Sequence, residues 1–350
     1  MFEEIDWSKK FVLKLIIIFV CIAILMFVIF SIIKNLNSGK VEKTLTCNDG
    51  TFYDSCSLNK PYYCANGNLV ENSSFCGCVR GWEIKNDSCY SSDLYKNPKI
   101  ISLKYLLNGH EDYLNFTVYG GANNYFLNIS KPYKFFTDEK ATRKDYKLVQ
   151  INDPIQRELL ISLVVQIQNI SNNKDDQMRI ATSLVQNLPY GSSNEMFKFL
   201  GQEINYTRYP YEILYDGYGD CEEKSSLLVF LLKEIGYGTA SFYYQQENHE
   251  SVGIACPYEK SYLGSGYCFI ETTGPSVMTN YNGNYEFGKL SNPEIVILSS
   301  GFSLENNLYE YDDGQKMINL MNKIDKSGGL NYFQNKSLEK IKKKYGITNV

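Results

Sequence analysis

The tetrapeptide Asp220-Cys221-Glu222-Glu223 combines residue types that can activate a cysteine. It stands directly before a long apolar run that ends at Gly236. Asp220 is a typical N-cap residue, and Glu223 is placed to complete a capping box. Cys221 then occupies the first helical position, where the positive end of the helix dipole favours the reactive thiolate. The spacing therefore predicts a nucleophile at the start of a helix.

A cysteine nucleophile needs a base, and the chain has only two histidines, His110 and His249. We interpret His249 as the base and Glu271 as the acid that orients it, and we expect His110 in a solvated turn. Each assignment has a plainer alternative: Cys221 as a small buried residue, His249 as a turn histidine, Glu271 as an exposed strand residue. A metal site is not favoured, because these three residues lack further ligands of recognisable spacing.

Further motifs surround these three residues. They are Tyr209-Pro210-Tyr211-Glu212-Ile213-Leu214, Gly219-Asp220-Cys221-Glu222-Glu223-Lys224-Ser225 with Leu231-Leu232 and Gly236-Tyr237, His249, and Ile270-Glu271-Thr272-Thr273-Gly274. Together they resemble the transglutaminase-like superfamily of papain-like cysteine enzymes, in particular its prokaryotic members. The likeness covers roughly residues 175 to 280. It maps the family's catalytic triad onto Cys221, His249 and Glu271.

The resemblance implies a chemistry of acyl transfer or hydrolysis on peptide, isopeptide or other amide substrates. The thiolate of Cys221 would attack the acyl carbon, His249 would take and return the proton, and Glu271 would fix the imidazole tautomer. No cofactor is expected, and the expected partner is a protein or peptide, such as a component of the cell envelope.

Two departures from the family pattern bear on this interpretation. The third triad member is usually aspartate, and the core domain has no tryptophan, since the chain's two are Trp7 and Trp82. The backbone N–H of Cys221 is then the first oxyanion-hole donor, with Tyr209 or Tyr211 as candidates for the second. The alternative function is a catalytically inactive surface protein that uses the same fold for binding.

The N-terminal part of the chain has the character of a membrane anchor. Residues 15–33 form an uncharged apolar run, and we predict a transmembrane helix over 11–33 after a short cytoplasmic tail, 1–10. A cleaved signal peptide is the rival interpretation, although no small-residue cleavage site follows. The net charge of −4 and the absence of a long basic run exclude nucleic acid as an expected partner.

Six of the ten cysteines lie within residues 47–89. Because this segment has no histidine, a disulfide framework is favoured over a zinc site, and its connectivity stays open. Disulfides need an oxidising compartment, and several Asn-x-Ser/Thr sequons agree with an external location. We therefore expect a single-pass protein with its N-terminus cytoplasmic and its C-terminal body extracytoplasmic.

The predicted fold class is α+β. A central helix carrying Cys221 packs on an antiparallel sheet, in a transglutaminase-like domain over 153–300. A linker, 34–46, the disulfide-rich module, 47–89, and a β-rich region, 95–151, precede this domain, and a helical extension, 301–350, follows it. Strands are expected at 239–244, 251–256 and 267–272.

The last two of these strands predict a hairpin that joins the site. His249 and Glu271 face each other if the turn is centred on residue 260. Cys256 and Cys268 could also cross-link the pair, but their midpoint is residue 262. The two inferences differ slightly in register, and a bulge or slip would reconcile them.

Overall fold

The computed structural model describes residues 45–78, 82–90, 93–128, 142–192, 196–199, 202–205, 207–278, 284–285 and 288–348, together with Ile22, Ile24 and Met26. Apart from those three residues, the predicted tail 1–10 and transmembrane helix 11–33 lie outside these ranges, as does the linker 34–46 except for its last two residues. Among the described residues, no helix has the length and apolar character needed to cross a membrane. Thr46–Val350 cluster into one unit.

Helices and strands alternate irregularly along the described part of this unit. The helices are α1 (Ser73–Cys76), α2 (Gly120–Asn128), α3 (Arg143–Ile151), α4 (Pro154–Ile170), α5 (Lys174–Gln186), α6 (Pro210–Asp216), α7 (Cys221–Ile235), α8 (Tyr309–Ser327) and α9 (Tyr332–Tyr345). The strands are β1 (Tyr62–Ala65), β2 (Asn68–Glu71), β3 (Glu83–Lys85), β4 (Ser88–Tyr90), β5 (Pro98–Leu107), β6 (His110–Tyr119), β7 (Met196–Phe199), β8 (Gln202–Asn205), β9 (Thr239–Tyr244), β10 (His249–Ala255), β11 (Tyr267–Ile270), β12 (Asn284–Tyr285), β13 (Gly288–Lys289) and β14 (Glu294–Ser299).

Helix α7 forms the centre of the core. Residues 227–232 are apolar on every side of the helix, and each is at most 1% exposed. Helices α3, α4, α5 and α6 pack around α7, and strands β9 and β10 cover its remaining side. The helix ends at Gly236, whose φ of 111° a residue with a Cβ rarely adopts. The mixed helix and sheet architecture predicted from the sequence is confirmed.

The sheet beside α7 has four antiparallel strands in the order β11-β10-β9-β14. Val252 pairs with Ile270, so the β10–β11 hairpin is centred on residue 261, between the two predicted centres. Cys256 and Cys268 form a disulfide across this hairpin. Cys268 pairs with Ile254, so the two disulfide residues are diagonal neighbours in this register, and the β10–β11 ladder begins at Val252 without including His249 or Glu271.

The six cysteines of the module pair as Cys47–Cys64, Cys56–Cys76 and Cys78–Cys89. The module packs against α4. The amide of Asn169 and the backbone of Leu69 exchange two hydrogen bonds of 3.3 Å, and Asn48 donates to the carbonyl of Gln168. Leu69 is 3% exposed and belongs to the main core.

In the described part of the predicted β-rich region, 95–151, the strands lie within residues 98–119. Strands β5 and β6 form one hairpin through Asn108 and Gly109, whose positive φ angles suit a tight two-residue turn. Helices α2 and α3 follow. Helix α3 begins with a capping box between Thr142 and Asp145, a signal that outweighs the β-branched and aromatic content of the region.

The predicted C-terminal extension, 301–350, contains α8 and α9, which share an apolar interface. Arg179 of α5 binds Glu310 of α8 through two hydrogen bonds, and Glu310 is buried. This pair attaches the extension to the helices that surround α7.

The N-terminus of α7 is held by a buried ion pair. Glu223 completes the capping box with Asp220, and the guanidinium of Arg208 binds both carboxylate oxygens of Glu223 at 3.0 and 2.7 Å. Arg208 also contacts Asp216 at 2.8 Å. Arg208 and Glu223 are each 1% exposed, so neither charge has access to water.

We expect Arg208→Met to lower the free energy of unfolding by about 3–5 kcal/mol, because it leaves the charge of Glu223 buried without its partner. Urea unfolding of the full-length chain in detergent, with disulfides intact, measures this change. Lys96→Met is the control, since Lys96 and Asp93 form an exposed pair; its expected effect is below about 1 kcal/mol. An equally small loss for Arg208→Met would contradict the structural role of the pair.

Candidate active site

Cys221 occupies the first position of α7 and is half-buried. It is the one cysteine outside a disulfide among the described residues. The side chain of Asp220 accepts the N–H of Glu223 at 3.0 Å, which leaves the first N–H groups of the helix for other acceptors. The sulfur therefore lies at the positive end of the helix dipole.

His249 begins β10 and reaches toward both Cys221 and Glu271. Its Nε2 lies 2.9 Å from Oε2 of Glu271. The ring also forms a hydrogen bond with the side chain of Cys221. The aromatic ring of Tyr244 stacks beside the imidazole, with centroids 5.9 Å apart. His249 is 7% exposed, so its orientation is set by these contacts.

Glu271 follows β11 and uses its two carboxylate oxygens differently. Oε1 accepts the N–H groups of Thr272 and Thr273 at 2.9 and 3.0 Å and the hydroxyl of Thr273 at 2.9 Å. Oε2 is left for His249. The two threonines that follow Glu271 thus orient its carboxylate. They hold the glutamate side chain, which is one methylene longer than that of aspartate, in one position.

Burial and hydrogen bonding oppose each other in setting the pKa of His249. Burial lowers it, but hydrogen bonds and charge interactions with Cys221 and Glu271 raise it from 6.5 to about 10. Burial raises the pKa of Glu271, yet His249 and Thr273 together lower it. The imidazolium form of His249 therefore persists at neutral pH, beside a sulfur whose thiolate it can stabilise.

The structure brings the three predicted residues into one hydrogen-bonded chain, whereas the other candidates lie elsewhere. His110 is exposed at the start of β6. The hydroxyl of Tyr211 binds the backbone of Tyr119, which makes it unsuitable as an oxyanion donor. Tyr209 is buried, and its ring packs against Phe126.

A buried lysine joins the segments that carry the nucleophile and the base. Lys147 of α3 contacts Glu250 at 2.7 Å and Glu222 at 3.0 Å, and these carboxylates directly follow His249 and Cys221. Burial lowers the pKa of Lys147, but the two carboxylates raise it overall. Lys147 therefore positions α7 against β10. Lys147 lies in the region that the sequence predicts to be β-rich, and the spacing of residues there does not indicate this role.

A second buried lysine, Lys224, connects α7 to the segment after Glu271. Its Nζ donates to the carbonyls of Leu188 and Thr273 at 2.6 and 3.1 Å. Burial lowers the pKa of Lys224 from 10.5 to about 8, while the charge of Glu271 opposes this effect. The Gly-Asp-Cys motif includes Lys224, but only tertiary contacts reveal its function.

Tyr190 lies at the exposed edge of the site. Its backbone pairs with Gly219, and the N–H of Gly191 donates to the carbonyl of Gly219 at 3.1 Å. Tyr190 is 62% exposed, and its pKa is raised by partial burial and by the charge of Cys221. Sequence spacing does not indicate this residue, because its proximity to Cys221 depends on the packing of two loops.

No family model and no curated protein matches the chain. Among solved structures, calcium-bound LapG of Legionella pneumophila is 16% identical, over 49% of this chain and 96% of that chain, with a TM-score of 0.28. The EGTA-treated form of LapG is 13% identical, over 50% of this chain and 96% of that chain, also with a TM-score of 0.28. The likeness is distant. In the described residues, no group of three or more His, Cys, Asp or Glu side chains could hold a metal ion.

The raised pKa of His249 predicts a pH-dependent contribution to stability. This contribution is complete below about pH 6.5 and is lost as the pH rises toward 10, because the folded protein retains a proton that the unfolded chain releases. We therefore expect the stability advantage of the wild type over His249→Gln to shrink between pH 6.5 and 10. Urea unfolding at each pH measures it, with His110→Gln as the control. An advantage that grows with pH would contradict the assigned charge state.

Proposed function

We propose that this protein is a membrane-anchored, transglutaminase-like cysteine enzyme that transfers or hydrolyses acyl groups of peptide, isopeptide or other amide substrates. The hydrogen-bonded chain of Cys221, His249 and Glu271 carries the proposal. Each member has the position that its role requires: the sulfur at a helix N-terminus, the imidazole between sulfur and carboxylate, and the carboxylate fixed by three further donors.

In the proposed reaction, the Cys221 thiolate attacks the carbonyl carbon of the substrate and forms a tetrahedral intermediate. His249 then gives its proton to the leaving amine as the carbon–nitrogen bond breaks, which leaves a thioester on Cys221. A water molecule or a second amine then gives a proton to His249 and attacks the thioester. The carbon–sulfur bond breaks, which releases the acid or the new amide and regenerates the Cys221 thiolate beside protonated His249. Glu271 keeps the imidazole oriented through both proton transfers.

The negative charge of the intermediate needs donors near Cys221. The backbone N–H of Cys221 is suited to this role, because it points from the first turn of α7 and has no partner within the helix. The nearby Tyr190 hydroxyl is a candidate for the second donor in place of Tyr209 and Tyr211. The substrate is expected to be a protein or peptide, which would enter at the exposed edge marked by Tyr190.

Acylation by p-nitrophenyl acetate tests the proposed enzyme activity without knowledge of the natural substrate. We expect a burst of about one nitrophenolate per chain and an acetyl group on Cys221 located by peptide mass spectrometry. Cys221→Ser should remove this label, and His249→Gln should slow the burst at least about tenfold. His110→Gln is the matched control and should keep the wild-type rate. A wild-type burst no faster than that of Cys221→Ser would favour the catalytically inactive binding protein.

We further propose that residues 11–33 anchor the chain in the membrane, with residues 1–10 cytoplasmic and the catalytic unit extracytoplasmic. The apolar run of 15–33 and the four disulfides support this topology, since disulfides persist in oxidising compartments.

Epitope accessibility and extraction test the topology. An epitope at the C-terminus should bind antibody on intact cells, one at the N-terminus only after permeabilisation, and the chain should resist alkaline carbonate extraction. A control in which a polar linker replaces 11–33 should be extracted. Release of a mature chain that begins after residue 33 would show a signal peptide instead.

A further inference from the structure

A cleft of about 590 Å³ lies between the disulfide-rich module, the β5–β6 hairpin and helix α4. Its volume falls within the range of small-ligand sites. The site is separate from Cys221. Glu158 lines the cleft, and its neighbour Arg157 binds Glu234 near the end of α7 at 2.9 Å. The helical rise places that end about 20 Å from Cys221.

Aromatic rings form one wall of the cleft. Tyr95 is central: its ring meets Trp82 edge-on at 5.2 Å and Tyr119 edge-on at 4.7 Å, and it stacks with Tyr90 at 6.1 Å. All four rings line the cleft. Lys85, the basic residue among the lining side chains, has its Nζ 4.9 Å from the centre of the Tyr90 ring. The wall therefore already holds one ammonium group against an aromatic face.

Two carboxyl groups, Glu71 and Glu158, also line the cleft. Both act electrostatically on Tyr62 and Tyr95, so the two groups share one environment with the aromatic wall.

Burial, opposed by Arg157 and reinforced by Glu234, raises the pKa of Glu158 to about 7. Burial also raises the pKa of Glu71, although its hydrogen bonds to Ser88 and Cys89 oppose this. A cation in the cleft would relieve the cost of ionising both groups.

We propose that this cleft is a binding site for an alkylammonium group, the lysine side chain of a polypeptide partner. The aromatic wall would contact the methylenes and the charge, and Glu158 and Glu71 would accept hydrogen bonds from the ammonium. The neutral side chains of Asn115, Thr117 and Gln166 offer contacts to the backbone of such a segment. The site can bind its ligand whether or not Cys221 is active.

Tryptophan fluorescence can report this site, because Trp82 lines the cleft and the chain's other tryptophan is Trp7. The probe is Nα-acetyl-lysine methylamide, added to the full-length Trp7→Phe chain in detergent. We expect the emission of Trp82 to change with the probe concentration and to reach a plateau when the cleft is filled. The norleucine analogue, which lacks the ammonium, should bind at least about tenfold more weakly. Affinity for the lysine probe should be higher at pH 8 than at pH 6, because Glu158 ionises in this interval.

Glu158→Gln keeps the shape of the side chain and should lower the affinity for the lysine probe at least about tenfold. The affinity of this variant should also be the same at pH 6 and pH 8. Glu339→Gln, at an exposed position of α9, is the matched control and should leave affinity unchanged. Circular dichroism and urea unfolding verify that each variant folds. Three outcomes would each overturn the proposal. The lysine and norleucine probes could bind with equal affinity, or Glu158→Gln could leave the affinity for the lysine probe unchanged. The third outcome is that N-acetylglucosamine oligomers saturate the Trp82 signal while the lysine probe gives no response.

Discussion

The structure depends on the burial of the apolar part of helix α7, residues 227–232. A helix that is apolar on every side is stable only when other elements cover it all round, and four helices and two strands do so here. Its N-terminus is the part left near the surface, because polar first-turn groups cannot be buried without partners. Cys221 stands at that end. The burial that stabilises the fold therefore also determines where a nucleophile can meet a substrate, and it gives the sulfur a rigid support.

Three buried cations maintain this arrangement, and each binds groups next to a site residue. Arg208 holds the capping box that precedes the helix, Lys147 joins the carboxylates that follow Cys221 and His249, and Lys224 joins α7 to the segment after Glu271. Buried ion pairs contribute little net stability compared with apolar packing, but losing one partner is costly. Their effect here is to restrict how α7, β10 and the end of β11 can be arranged. Such restriction is what a proton-transfer chain requires, because small displacements reduce its efficiency.

Much of the candidate site follows from local sequence signals. The capping residues Asp220 and Glu223 predict the start of α7, and strand-forming residues predict β9, β10 and β11 close to their observed bounds. The hairpin register was predictable to within one residue, since His249 with Glu271 and Cys256 with Cys268 bracket the observed centre. Errors arose where local signals conflict, as in the region after β6, where capping of α3 outweighs strand propensity. The disulfide pairing within the module was open, because spacing alone does not select one connectivity.

The sequence by itself determined the chemistry that is available: one cysteine at a helix start, a histidine two residues before a predicted strand and a glutamate followed by two threonines. These are local properties, set by capping, strand propensity and residue type. Only the tertiary structure decided that Lys147 and Lys224 support the site, that Tyr190 lies at its edge, and that the module and α4 enclose a cleft. Those features depend on packing and on buried charges that bring together residues far apart in the chain. The free energy of such a contact depends on the surrounding residues, and no local sequence pattern specifies them.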